Sequence, residues 1–214
     1  MGTAHAHGTR QPKKPYPSES PSAIERDALT GLLNADGFYR RVRMLLDENP
    51  DRTFILVYGD LDRFKVFNDL YGAEAGDRLL ASVGSMIVDI LPQGSAAARL
   101  RADHFISCVP ADAFDADRFL AALNQWFCAY PVDFTFFVRL GIYVIDDSSL
   151  DAVRMSDRAL IALREAKKSV GASACVYYND QLRDLLLKEQ EMAGEMAPAL
   201  ERGEFVAFFQ PRCV

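Results

Sequence analysis

The stretch "DLDRFKVFNDLYGAEAGDRLL", residues 60–80, carries acids, glycines and an amide between two apolar elements. Upstream lies "TFILVYGD" (53–60), a continuous β-branched and aromatic run, the pattern of a strand covered on both faces. Downstream, Leu79, Leu80, Val83, Ile87, Ile90 and Leu91 keep a helical period until Pro92 and Gly94. Asp60 and Asp62 therefore fall at the C-terminal end of a buried strand, where open α/β sheets place their ligand sites.

Those residue types leave two readings open. Carboxylates at a strand end, followed by Lys65, suit a hard cation with a phosphate; equally, Asp60 ends the strand and caps the next helix. Asn68 and Asp77 flank the turn containing Gly72 and Gly76. An amide and a carboxylate converging there match the N1–H and N2–H₂ donors of guanine, but both are also ordinary capping and turn residues.

The rest of the chain surrounds this centre with alternating elements. Asn34 is placed to cap a helix carrying Phe38, Val42, Leu45 and Leu46, which stops at Asn49-Pro50. "AARLRADHFISCVP" (97–110) reads as two short strands turning at Arg101-Ala102, with Asp103 and His104 directly after. Tight hairpins prefer Gly or Asn there, because the central residues take positive φ. A helix is expected at 115–129, a strand at 132–145, a helix at 151–168 and a strand at 174–178. The order α-β-α-α-β-β-α-β-α-β implies an α/β sandwich, a central mixed sheet flanked by helices, of ferredoxin-like type.

Both ends differ from this centre. Residues 1–21 are rich in Pro, Ser, His and Lys and read as a disordered leader. Beyond the domain at 22–179, residues 180–203 form a charged amphipathic linker helix. "FVAFFQP" (205–211) then opens a fresh strand, so 204–214 reads as the start of a further domain. The net charge of −6 argues against a nucleic-acid surface. No run of 18 apolar residues and no secretory h-region occur, so a cytoplasmic location without a membrane segment is expected. The four cysteines show no metal-binding spacing, which fits a reducing compartment.

"DALTGLLNADGF" (27–38), residues 60–80, the hairpin at 99–105, "LGIYV" (140–144) and "MSDRALIALREAK" (155–167) together resemble the GGDEF domain of diguanylate cyclases. The resemblance covers about residues 24–178 and implies a nucleotidyl-cyclase, polymerase-palm fold whose β-hairpin carries the signature. It implies that two facing copies, a homodimer, condense two GTP into cyclic di-GMP. Asp60 and Asp103 would bind Mg²⁺, Asn68 and Asp77 would read guanine, and Lys65 and Lys167 would hold phosphate. "LERGEFVAFFQP" resembles the opening of an EAL phosphodiesterase domain.

The signature itself departs from Gly-Gly-(Asp/Glu)-Glu-Phe, reading Arg101-Ala102-Asp103-His104-Phe105. Both turn glycines are replaced, and His104 stands where a Glu linked to metal or to the attacking hydroxyl is expected. Ala73 replaces a frequent His, Gly171 a frequent Arg, and the product-site R-x-x-D is Pro92-Gln93-Gly94-Ser95. In-line cyclisation depends on positioning and charge stabilisation, so the expectation is a GTP-binding regulatory domain without cyclase activity. An active cyclase and a non-enzymatic dimerisation module are the alternatives.

Overall fold

In the computed structural model, residues 25–169 and 171–204 are described. The leader at 1–21 and the strand expected at 205–211 lie outside them. Along the chain come helix α1 (Ala35–Glu48), strand β1 (Phe54–Asp62), helices α2 (Phe64–Tyr71) and α3 (Ala73–Ile90), strands β2 (Ala96–Arg101) and β3 (His104–Pro110), a 3-10 turn at Ala111–Ala113 and helix α4 (Ala116–Ala129). Strand β4 (Phe137–Val144), helix α5 (Ala152–Ala166), strand β5 (Ala174–Tyr177) and helix α6 (Asp180–Glu201) follow.

The apolar run of β1 makes it the middle strand, in the order β2-β3-β1-β4-β5. It pairs antiparallel with β3 and with β4, while β4 and β5 are parallel, so the sheet is mixed. Side chains alternate across it. Ile55, Val57 and Leu61 pack with Phe67, Leu79, Val83 and Phe127 on one face. Phe54, Leu56 and Tyr58 pack with Phe38, Val42, Met155 and Ala159 on the other. At Gly141 of β4 a Cβ would stand 2.2 Å from both Ala159 O and Leu163 N, so glycine is what lets α5 lie directly on the sheet.

The motif at 27–38 is bound to this frame by hydrogen bonds. Asp27 Oδ1 accepts from Thr30 N at 2.9 Å and from Thr30 Oγ1 at 2.8 Å. Leu33 N donates to Ala97 O, and Arg99 N to Leu33 O, which lays the segment along β2. Asn34 caps α1 as expected, its side chain accepting from Gly37 N.

The structure corrects two expectations and removes two of the open readings. The strand predicted at 132–145 begins only at Phe137. Before it, Phe134 and Phe136 turn onto Phe67, with ring centroids 5.4 and 5.3 Å away, so aromatic packing takes the place of ladder pairing. The hairpin turns at Ala102-Asp103, because Arg101 is still paired with His104 in the ladder. Ala102 takes φ 44°, the left-handed conformation a glycine would adopt without strain. Asp60 does not cap a helix: β1 continues to Asp62, and α2 begins after Arg63 with no side-chain cap. Nor does Asp77 cap α3, which begins at Ala73, so Gly76 and Asp77 lie inside the helix.

The described residues fall into two units, dividing after Tyr178. The second unit holds α6, whose Leu185, Leu187, Met192, Met196 and Leu200 are exposed. No described helix is long and apolar enough to cross a membrane.

Candidate functional site

Asp60 sits opposite His104 in the β1–β3 register and opposite Arg139 in the β1–β4 register. Antiparallel neighbours on one face stand close enough for their side chains to meet. Asp60 is 5 % exposed, and two nitrogen groups reach its Oδ2. Lys167 Nζ, just past the end of α5, donates at 2.7 Å, and His104 Nε2 lies at 3.3 Å. Asp103, in the hairpin turn, completes the group: one ligand atom each from Asp60, Asp103 and His104 all lie within 4.8 Å of one another.

Burial and like charge act together here. Asp103 has its carboxyl pKa raised, first by burial and then by the Asp60 charge. Burial lowers the His104 pKa against the pull of Asp60 and Asp103, which favours neutral imidazole. Neutral imidazole offers one donor and one acceptor. Donation from Nε2 to Asp60 leaves Nδ1 to accept from the Tyr58 hydroxyl, 3.3 Å away. Tyr58, whose pKa burial pushes up to about 12, remains a phenol and holds the imidazole edge-on at 89°.

A second corner forms where α2 meets α3. Asn68 lies on α2, and its backbone carbonyl accepts from Gly72 N, which turns the chain into α3. Its side-chain Oδ1 is buried without a partner among the described residues. That oxygen presses on Gly76, where a Cβ would come within 1.9 Å. Asp77, the next residue, is exposed, and so is Lys65 on α2. Thus Asp60, Asp103, His104 and Lys167 are brought together, while Asn68 is set against Gly76, with Asp77 next to it in the chain. Lys167 is spent on a carboxylate rather than left free for phosphate.

Three contributors do not stand out from the sequence. Tyr58 shares a face of β1 with Asp60 through the two-residue period, so strand alternation is the signal that points to it. Arg139 is 2 % exposed, and its guanidinium donates to Ala172 O, to Ser169 O at 2.8 Å and to Asp62 Oδ2 at 3.3 Å. A lone charge inside "FFVRLGIYV" is its signal, since a buried cation must be partnered. Arg99 donates to Ala102 O at 2.7 Å and pairs with Asp27 at 3.3 Å, fastening the hairpin turn to the N-terminal motif.

A mixed sheet whose central strand and neighbouring hairpin present carboxylates at one end, with helices on both faces, is the palm-like architecture of nucleotidyl cyclases. The family model "Diguanylate cyclase, GGDEF domain" matches residues 24–172, and the chain belongs to that family. It is a GGDEF domain of cyclic di-GMP signalling. It is 32 % identical over 167 residues to the Escherichia coli K12 protein named "Probable diguanylate cyclase DgcE", covering 74 % of this chain and 15 % of that protein. It is 28 % identical over 199 residues to "Cyclic di-GMP phosphodiesterase PdeB" of Shewanella oneidensis, covering 86 % of this chain and 22 % of that one. The chain therefore spans less than a quarter of the length of these two relatives. The solved structure of a sensory box/GGDEF family protein from Caulobacter crescentus CB15 aligns with TM-score 0.60 and 30 % identity, over 67 % of this chain and 98 % of that one.

Proposed function

We propose that this domain binds GTP or another guanine nucleotide without cyclising it, and regulates an EAL phosphodiesterase that follows α6. The observation that carries the reading is the state of Asp60. Its carboxylate is engaged by Lys167 at 2.7 Å and faces an imidazole where the family signature has a second acid. Cyclisation requires charge stabilisation of a pentavalent phosphate arrangement and activation of a 3′-hydroxyl. One fewer carboxylate and one neutralised carboxylate weaken both. The guanine side favours binding, because Asn68 Oδ1, buried and without a partner among the described residues, is an acceptor suited to a guanine donor.

The donor set suits a divalent cation. Asp60 and Asp103 would hold it, and it would neutralise nucleotide phosphate when bound. The names of PdeB and of a Pseudomonas aeruginosa relative, "Bifunctional diguanylate cyclase/cyclic di-GMP phosphodiesterase MucR", support the regulatory reading. A second copy of the domain would be needed only for condensation.

Calorimetric titration of GTP with and without divalent cation, followed by product analysis of the same sample, tests the proposal. Binding without cyclic di-GMP is expected. Cyclic di-GMP formed by the domain and lost in Asp103→Ala would establish an active cyclase. A silent titration at high GTP would leave an interaction module.

A further inference from the structure

We infer that Asp60, Asp103 and His104 form a site selective for a borderline divalent transition ion, of the Co²⁺ and Zn²⁺ class, over Mg²⁺. The inference deepens the nucleotide reading, which places the phosphates at this same corner, by assigning the class of cation held there. Mg²⁺ takes oxygen ligands in near-ideal octahedral geometry and keeps its waters. An imidazole nitrogen is a poor exchange for them, whereas transition ions bind imidazole readily. Two carboxylates with one imidazole leave room for solvent or phosphate oxygens in the remaining positions.

The geometry gives this set more than proximity. Metal–ligand bonds of about 2.1 Å place neighbouring ligand atoms roughly 3 to 4 Å apart. The three groups already lie within 4.8 Å of one another, so small side-chain rotations suffice. Asp60 and His104 are registered by the β1–β3 ladder rather than by a loop. A second observation points the same way. His104 Nδ1 is held by the Tyr58 hydroxyl at 3.3 Å, which fixes the ring with Nε2 toward Asp60. Metal-bound histidines are likewise fixed by an oxygen at the other ring nitrogen, which is the donor once the ion is bound. On binding, the one ring proton shifts through solvent from Nε2 to Nδ1, which frees the Nε2 lone pair for the ion, and the Tyr58 hydroxyl rotates to accept from Nδ1.

Lys167 is the built-in competitor. Its ammonium occupies the Asp60 carboxylate, yet its side chain is 43 % exposed on a flexible stem and can withdraw to solvent. Removing that charge therefore tightens ion binding.

The test uses the full chain with His5→Ala and His7→Ala. The sequence holds three histidines, so His104 becomes its one imidazole. Co²⁺ is titrated by visible absorption and calorimetry, with Mg²⁺ as competitor. One Co²⁺ per chain is expected, with d–d bands and little displacement by equimolar Mg²⁺. His104→Gln should weaken Co²⁺ binding by about tenfold or more, and Lys167→Met should strengthen it severalfold. His104→Glu restores an oxygen-only set and should let Mg²⁺ compete; it decides the matter if the Gln variant misfolds. Unchanged Co²⁺ affinity in both His104 variants, or Mg²⁺ displacing Co²⁺ at parity, overturns the inference. GTP titrated separately into the same protein keeps the two readings apart. Co²⁺ bound through His104 with no GTP binding sinks the nucleotide proposal alone, and Mg²⁺-dependent GTP binding without a His104-dependent ion sinks this one alone.

Discussion

The corner at α2–α3 and the corner at the hairpin differ in how the chain assembles them. Asn68, Gly72 and Gly76 lie within nine residues, and helix geometry brings the amide onto Gly76. Residues 60, 103, 104 and 167 come from β1, the hairpin and the end of α5, and meet only because the sheet is built. The local corner keeps Asn68 and Asp77, while Ala73 stands where the resemblance leads one to expect His. The non-local one rests on main-chain pairing, and the β1–β3 ladder is indifferent to the side chain at position 104. A fold held by main-chain pairing tolerates a new donor set; a corner held by one side chain against one glycine does not.

The sharpest way to break the contrast is Gly76→Ala. Its Cβ would arrive 1.9 Å from Asn68 Oδ1 and 3.1 Å from Phe64 Cζ, displacing the amide. GTP affinity measured by calorimetry should fall by about 100-fold, equivalent to ~2.7 kcal/mol, with the hairpin site unaffected. Next is Arg99→Ala, which frees the turn at Ala102 and leaves Asp27 without its cation. Hydrogen bonds to charged groups set the expected loss of stability at about 2 kcal/mol in urea unfolding.

Tyr58→Phe separates orientation from ligation, since it removes only the hydroxyl at 3.3 Å from His104 Nδ1. Co²⁺ affinity should drop about tenfold with unchanged unfolding; an unchanged affinity would leave the tyrosine a packing residue. The smallest effect is expected of Ala102→Gly. It relieves the left-handed φ of 44° and should raise stability by roughly 1 kcal/mol. On the proposed function, product analysis should find no cyclic di-GMP, because the substitution leaves His104 and the Lys167–Asp60 pair in place. Appearance of product would assign the loss to the backbone rather than to His104.

Much of this architecture is legible in the sequence alone. The apolar run 53–60 announces a central strand, the spacing at 60–80 marks the site, and Asn34 announces its cap, because burial periodicity and capping are local. Contacts between distant segments are not legible in that way. The engagement of Lys167 with Asp60, the Tyr58 hydroxyl on His104 and the burial of Arg139 depend on strand register and on how closely α5 packs at Gly141. The hairpin turn falls one residue later than its sequence suggests for the same reason: Arg101 pairs with His104 because the ladder extends that far. By itself, then, the sequence determined most of the elements and the family. Only the tertiary structure decided that His104 faces the buried carboxylate, since Coulomb and hydrogen-bond partners are chosen by distance in space.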